Sequence, residues 1–139
     1  MFLLDTNVLS VLMTAQPPSE VGEWMSAQPP DLLFTAAICQ AEILAGLAIL
    51  LEGRRRFELE TAARAMFLED FEGRVLAFDS AAAENYAAIF AARRRAGRPV
   101  ATIDLMIAAI ARSHGASVVT RNVSDFEGCD VAIVNPWTR

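Results

Sequence analysis

The chain has 139 residues, of which 54% are apolar and 21% are charged, and its formal net charge is −5. This composition is typical of one globular domain spanning residues 1–139, excludes a disordered chain, and argues mildly against a purely electrostatic nucleic-acid binder, which is usually basic. The first apolar run is broken by Asp5 and Asn7, too early for a membrane span or a signal-peptide core.

Five short apolar runs, separated by stretches of helical periodicity, predict strands in chain order. Because these runs lack polar alternation, they are typical of a parallel sheet that is covered on both faces, and we predict one α/β domain. We expect Ser80 to cap one helix and Gly115 to end the last one. The predicted strands are residues 2–4, 32–37, 74–79, 116–120 and 130–134, and the predicted helices are residues 7–13, 19–24, 38–53, 54–73, 80–97 and 102–115.

Acidic and amide residues follow several of these strands. Asp5 comes directly after the first strand, Glu42 near the start of the helix after the second, and Asp104 in the first turn of the last helix. Asn122 and Asp125 follow the fourth strand. Because ligands of open α/β sheets bind outside the carboxyl ends of the strands, we expect these side chains to converge at one edge.

Each acid also has a purely structural interpretation. Asp104 could complement a helix N-terminus, Asp125 could form a turn, and Asp5 could cap the following helix with its two polar neighbours. Glu42 is harder to explain in this way, because an unpaired carboxylate would be costly in so apolar a helix. Capping does not predict four acids at one sheet edge.

A group of carboxylates at one edge favours a cation. Like charges raise each other's pKa unless a cation joins them, and oxygen ligands without a cysteine or histidine cluster favour Mg²⁺ or Mn²⁺. Such an ion activates water and stabilises charge on a phosphoryl group. The residues therefore indicate metal-dependent phosphoryl chemistry and leave the substrate open.

Four motifs along the chain are similar to those of a known family. "LLDTNVLS", "AEILAG", "TIDLMIAAIARSHGASVVTRNVSDF" and "NPW" resemble the PIN-domain family, in particular the FitB-like branch of its VapC-type toxins. The resemblance implies a three-layer α/β/α domain with a mainly parallel sheet of four to five strands. It also implies a Mg²⁺- or Mn²⁺-dependent endoribonuclease that is the toxin of a toxin–antitoxin pair.

The resemblance assigns roles to individual residues. The catalytic and metal-binding acids would be Asp5, Glu42 and Asp104, with Asp125 as the fourth. Asn122 competes with Asp125 for this fourth position. Supporting roles fall to Thr6 and Asn7, which would orient Asp5, to Thr120 at the strand end, and to Asn122 as a polar ligand.

The same resemblance implies partners, namely an RNA substrate, a cognate antitoxin and a second copy in a homodimer, with no membrane.

All twelve basic residues are arginines. The cluster of Arg93, Arg94, Arg95 and Arg98 is either a solvated helix face or a set of RNA or antitoxin contacts. The apolar positions Leu44, Leu47, Ala48 and Leu51 are either core or a partner face.

Cys39 and Cys129 have no cysteine or histidine at metal-ligand spacing, so we expect reduced thiols in a cytoplasmic protein.

The alternative function is a catalytically inactive PIN-like binding module that acts through a protein partner. A metal-dependent phosphatase stays possible, whereas a phospho-accepting receiver domain needs a lysine that this chain lacks.

Overall fold

A computed structural model describes residues 1–138 of the chain, and its centre is a five-stranded sheet. The strand order is β3-β2-β1-β4-β5, and every neighbouring pair is parallel. This confirms the predicted α/β class and the parallel sheet. The strands are β1 (Phe2–Leu4), β2 (Leu33–Ala36), β3 (Val75–Leu76), β4 (Ser117–Val119) and β5 (Ile133–Val134).

The first strand is the middle of the sheet, and its position explains the unbroken apolar runs. Phe2 pairs with Leu33 on one side and with Ser117 on the other. Leu4 and Val119 are fully buried. A strand covered on both faces gains from an apolar side chain at every position, so polar alternation is absent.

Helices account for most of the remaining described chain. Short 3₁₀ turns occur at Pro30–Leu32 and Val123–Asp125, and a π-helical segment, Met66–Asp70, follows α4 directly. No helix among residues 1–138 is both long and apolar enough to cross a membrane. The α-helices are α1 (Thr6–Leu12), α2 (Ser19–Ala27), α3 (Ala37–Ala48), α4 (Arg54–Ala65), α5 (Ser80–Arg95) and α6 (Thr102–His114).

Helix α6 is the most deeply buried of these helices. Six of its residues, among them Ile107 and Ile110, belong to the core. As predicted, Gly115 ends the helix, with the left-handed φ of 65° that glycine adopts without strain. Leu105, directly after Asp104, is already buried, so the turn that carries Asp104 is anchored to the core.

Three predictions about local structure are wrong. Strands β3 and β5 are shorter than the runs 74–79 and 130–134, because each is an edge strand with a ladder partner on one side only. The cap of α5 is Asp79 and not Ser80, because the Asp79 side chain accepts a 3.0 Å hydrogen bond from the Ala82 N–H. Helix α3 ends at Ala48, so the stripe proposed to reach Leu51 is not one helical face.

Candidate active site

The Asp5 carboxylate is the most buried acid at the carboxyl edge of the sheet. Only 5% of the residue is exposed. Its Oδ1 accepts a 2.8 Å hydrogen bond from the Thr6 N–H, and its Oδ2 accepts hydrogen bonds from the Thr120 hydroxyl at 2.8 Å and the Asn7 amide at 3.1 Å. Three donors thus fix the position of both carboxylate oxygens.

Thr120 and Asn7 link Asp5 to the β4–β5 loop (residues 120–132). The Thr120 hydroxyl accepts hydrogen bonds at 3.0 Å from the Asn7 amide and from the Asn122 N–H. The Asn7 side-chain oxygen in turn accepts a 3.1 Å hydrogen bond from the Arg121 N–H. Asn122 therefore supports the site through its backbone, while its side chain is exposed.

Glu42 reaches the site from the middle of α3. It is exposed, so the expected cost of burying its charge in an apolar helix does not arise. Its Oε1 accepts a 2.6 Å hydrogen bond from the Thr6 hydroxyl. Because the Thr6 N–H binds Asp5, this threonine contacts two carboxylates at once.

Two of the acids, Asp104 and Asp5, have raised pKa values to which neighbouring carboxylates contribute. The pKa of Asp104 is raised to about 6, first by burial and then by the charges of Asp125, Asp5 and Glu42 in that order. Burial also raises the pKa of Asp5; the Thr120 and Thr6 hydrogen bonds oppose the shift, and Glu42 and Asp125 add to it. We call these four carboxylates, Asp5, Glu42, Asp104 and Asp125, the acidic site.

The acidic site fits a hard divalent cation in its chemistry. Within residues 1–138, no three acidic, histidine or cysteine side chains are already arranged to hold one ion. The site nevertheless offers oxygen donors only, and their mutual repulsion is what a cation relieves. Soft ligation by Cys39 is disfavoured, because burial and then the Asp5 charge raise the pKa of its thiol to about 12.

Two buried side chains behind Asp5, Thr35 and Cys39, were not among the predicted site residues. Thr35 is fully buried, and its hydroxyl donates a 2.9 Å hydrogen bond to the Leu4 carbonyl, which joins β2 to the residue before Asp5. Cys39 is also fully buried. A hydroxyl within the apolar run "LLFTAA" was the available signal for Thr35.

The arginine cluster divides into two kinds of residue. Arg94, Arg95 and Arg98 are exposed. Arg93 is partly buried and packs against Gly128 in the β4–β5 loop. The four residues therefore do not form one solvated face.

Comparisons with known proteins cover nearly the entire chain. The PIN domain family model matches residues 2–127, which include all four carboxylates. VapC ribonuclease Y4jK of Sinorhizobium fredii is 39% identical over 99% of this chain and 98% of its own. Toxin FitB of Neisseria gonorrhoeae is 37% identical over 99% of both. The solved structure of FitAB bound to an IR36 DNA fragment has a TM-score of 0.93 at 37% identity, covering 100% of this chain and 97% of that one.

Proposed function

The chain belongs to the PIN domain family, and from that premise we propose that it is an endoribonuclease toxin of a toxin–antitoxin pair that requires Mg²⁺ or Mn²⁺. The observation that carries the proposal is the convergence of the acids: Thr6 hydrogen-bonds to both Asp5 and Glu42, and the charges of Asp125, Asp5 and Glu42 add to burial in raising the pKa of Asp104. Its relatives in S. fredii and N. gonorrhoeae are named a ribonuclease and a toxin, respectively.

The side chains of the acidic site have distinct roles in this proposal. Asp5 and Asp104 hold the divalent cation, and Glu42 and Asp125 complete its surroundings. A bound cation of this kind supplies a more acidic water molecule and stabilises charge on the phosphoryl group. Asp5 is the rigid ligand, because three hydrogen bonds fix its oxygens.

Thr6 and the neighbouring amides orient the carboxylates. The Thr6 hydroxyl donates a 2.6 Å hydrogen bond to Glu42. Thr120 and Asn7 donate hydrogen bonds to Oδ2 of Asp5, the oxygen that the Thr6 N–H does not contact. These contacts keep like charges in place that would otherwise move apart. The arrangement is preorganised for a cation, which lowers the cost of assembling ligands when the ion binds.

Recruitment of RNA to an acidic protein requires positive charge outside the acidic site. Arg94, Arg95 and Arg98 are exposed at and just after the end of α5 and are free to reach solvent. Arginine suits phosphate because its planar fork donates two parallel hydrogen bonds. We assign these three residues to RNA or antitoxin contact.

The partners and location follow from the same assignment. A toxin of this type requires an antitoxin, and FitAB, a complex with a DNA fragment, is closely similar in structure. We propose an antitoxin partner, a homodimeric toxin and a cytoplasmic location, where RNA is available. Both cysteines are free and buried.

The deciding experiment tests the purified chain, free of any partner, on total RNA. We expect cleavage with Mg²⁺ or Mn²⁺, none in excess chelator, and none with Asp104→Asn. Phosphate release from nucleoside monophosphates without RNA cleavage would favour a phosphatase. Absence of both activities, together with no detectable Mn²⁺ binding, would favour the inactive binding module.

A further inference from the structure

Arg93 differs from the two arginines that follow it. It lies on the same helical stripe as Ala82 and Ile89, which belong to the core, because these positions are spaced by seven and four residues. Its Nε atom is buried and has no hydrogen-bond partner among residues 1–138. Leaving a buried donor unpaired is unfavourable, so contacts elsewhere must favour this position.

The guanidinium of Arg93 packs directly on Gly128. A Cβ atom at Gly128 would lie 2.0 Å from one terminal nitrogen of Arg93 and 3.0 Å from its Cζ, so only a glycine leaves room for this contact. Gly53, Gly73 and Gly115 also have positive φ, yet a Cβ there would meet nothing within 4 Å. Gly128 therefore serves the arginine contact as well as the turn.

The segment that Arg93 contacts is the one that carries Asp125. The 3₁₀ turn Val123–Asp125 leads into Phe126 and Cys129, both fully buried, and a 3.2 Å hydrogen bond joins the Cys129 N–H to the Phe126 carbonyl. Gly128 lies between these two anchors. A contact on Gly128 therefore restrains the position of this short, tightly folded segment.

Cys129 connects this contact to the acidic site. Burial raises the pKa of its thiol, the Arg93 charge lowers it, and the Asp104 charge raises it again. The thiol is therefore within reach of both charges. Within the described residues 1–138, no ion pair joins Arg93 to a carboxylate.

We propose that Arg93 is a positioning residue, whose guanidinium packs on Gly128 and holds the Asp125 segment beside Asp104. Only the role given to Asp125 rests on the proposed function; the mechanical contact does not. Arg93 then belongs to the framework of the acidic site, unlike the exposed Arg94 and Arg95.

The first test compares Arg93→Gln with Arg95→Gln, which removes the same charge from an exposed position on the same helix. In metal-free protein, we expect Arg93→Gln to speed amide hydrogen exchange across residues 123–129, and Arg95→Gln to leave it unchanged. Calorimetry should show Mn²⁺ affinity reduced by about 10-fold in Arg93→Gln only, as is usual when the support of a ligand is removed.

A second test moves the guanidinium without removing it. Gly128→Ala should displace Arg93 and reproduce the effects of Arg93→Gln. Gly73→Ala is the matched control, because Gly73 has a similar φ of 70° and open space where a Cβ would lie. The Arg93→Gln and Gly128→Ala effects should not add in the double variant, since both break one contact.

Kinetics on RNA distinguish positioning from substrate contact. At saturating Mn²⁺, Arg93→Gln should lower kcat and leave KM for RNA unchanged, with partial rescue in Arg93→Lys. The proposal would be overturned if Arg93→Gln matched Arg95→Gln in both hydrogen exchange and Mn²⁺ affinity. It would also be overturned if Arg93→Gln raised the KM for RNA and left Mn²⁺ affinity unchanged. If the wild type binds no Mn²⁺, the proposed function fails, while the exchange comparison still judges the contact.

Discussion

Asp104→Asn should stabilise the metal-free protein at neutral and alkaline pH. Asp104 lies in the first turn of α6, partly buried, where three other carboxylates face it. Asparagine has nearly the same shape but no charge, so the substitution removes the repulsion while keeping the packing. A residue that only capped the helix would give the opposite result, because its negative charge stabilises the first turn.

The pKa shift sets the size and the sign of this effect. Raising the Asp104 pKa from 3.8 to about 6 corresponds to about 3 kcal/mol in full. Solvent screening of a partly exposed group reduces this to about 1 kcal/mol. The pKa of Asp104 is higher in the folded protein than in the unfolded chain, so below pH 3.8, where the carboxyl is protonated in both, it costs the wild type no folding stability. The free energy of unfolding then falls as the pH rises through about 6, and the full cost is present at pH 8.

Thermal unfolding in excess chelator measures this difference. At pH 8 the Tm of Asp104→Asn should exceed that of the wild type by about 3 °C, and the gap should narrow as the pH falls toward 4. Asp31→Asn, at an exposed position, is the control. Adding Mn²⁺ should raise the Tm of the wild type more than that of the variant. A lower Tm for Asp104→Asn at pH 8, or a gap independent of pH, would refute the reasoning.

Three further predictions concern binding and catalysis. Asp5→Asn should weaken Mn²⁺ affinity at least about 10-fold, because ligand charge sets affinity; calorimetry equal to Asp31→Asn would contradict this. RNA cleavage should decline as pH falls through about 6, where protonated carboxylates release metal, and cleavage that survives excess chelator would rule out the mechanism. Replacing Arg94 and Arg95 with glutamine should flatten the salt dependence of RNA binding by about 0.7 per lost phosphate contact, or flatten the salt dependence of antitoxin binding if they contact that partner; an unchanged slope for both ligands would mean a solvated helix end.

The sequence predicted the order of strands and helices because burial leaves a direct pattern. The central strands are mostly apolar, with Thr35 and Ser117 as exceptions, and α6 ends at a glycine that adopts a left-handed conformation. The edge strands were predicted too long, because an apolar run does not reveal how far a neighbouring ladder continues. Asp79 was missed as a cap because Ser80 beside it is an equally good capping residue.

The convergence of acids was predictable from topology, but their individual environments were not. The carboxyl ends of parallel strands meet at one edge, which is sufficient to bring Asp5 toward the β4–β5 loop. The exposure of Glu42 was not predictable, because α3 is apolar on most of its surface and only the packed structure shows which side faces solvent. Its link to Asp5 through Thr6 depends on side-chain orientation, which residue spacing alone does not specify.

The arginine run shows how helical periodicity can separate residues that composition groups together. Neighbouring residues on a helix point about 100° apart, so three consecutive arginines cannot share one environment. Ala82, Tyr86 and Ile89 form a stripe with spacings of four and three, and the next position on that stripe is Arg93. An arginine at the end of a core-facing stripe can pack its methylene groups toward the core, and its planar guanidinium then needs a small residue to pack against. Gly128 meets that need, and the contact joins the C-terminal end of α5 to the loop that carries Asp125.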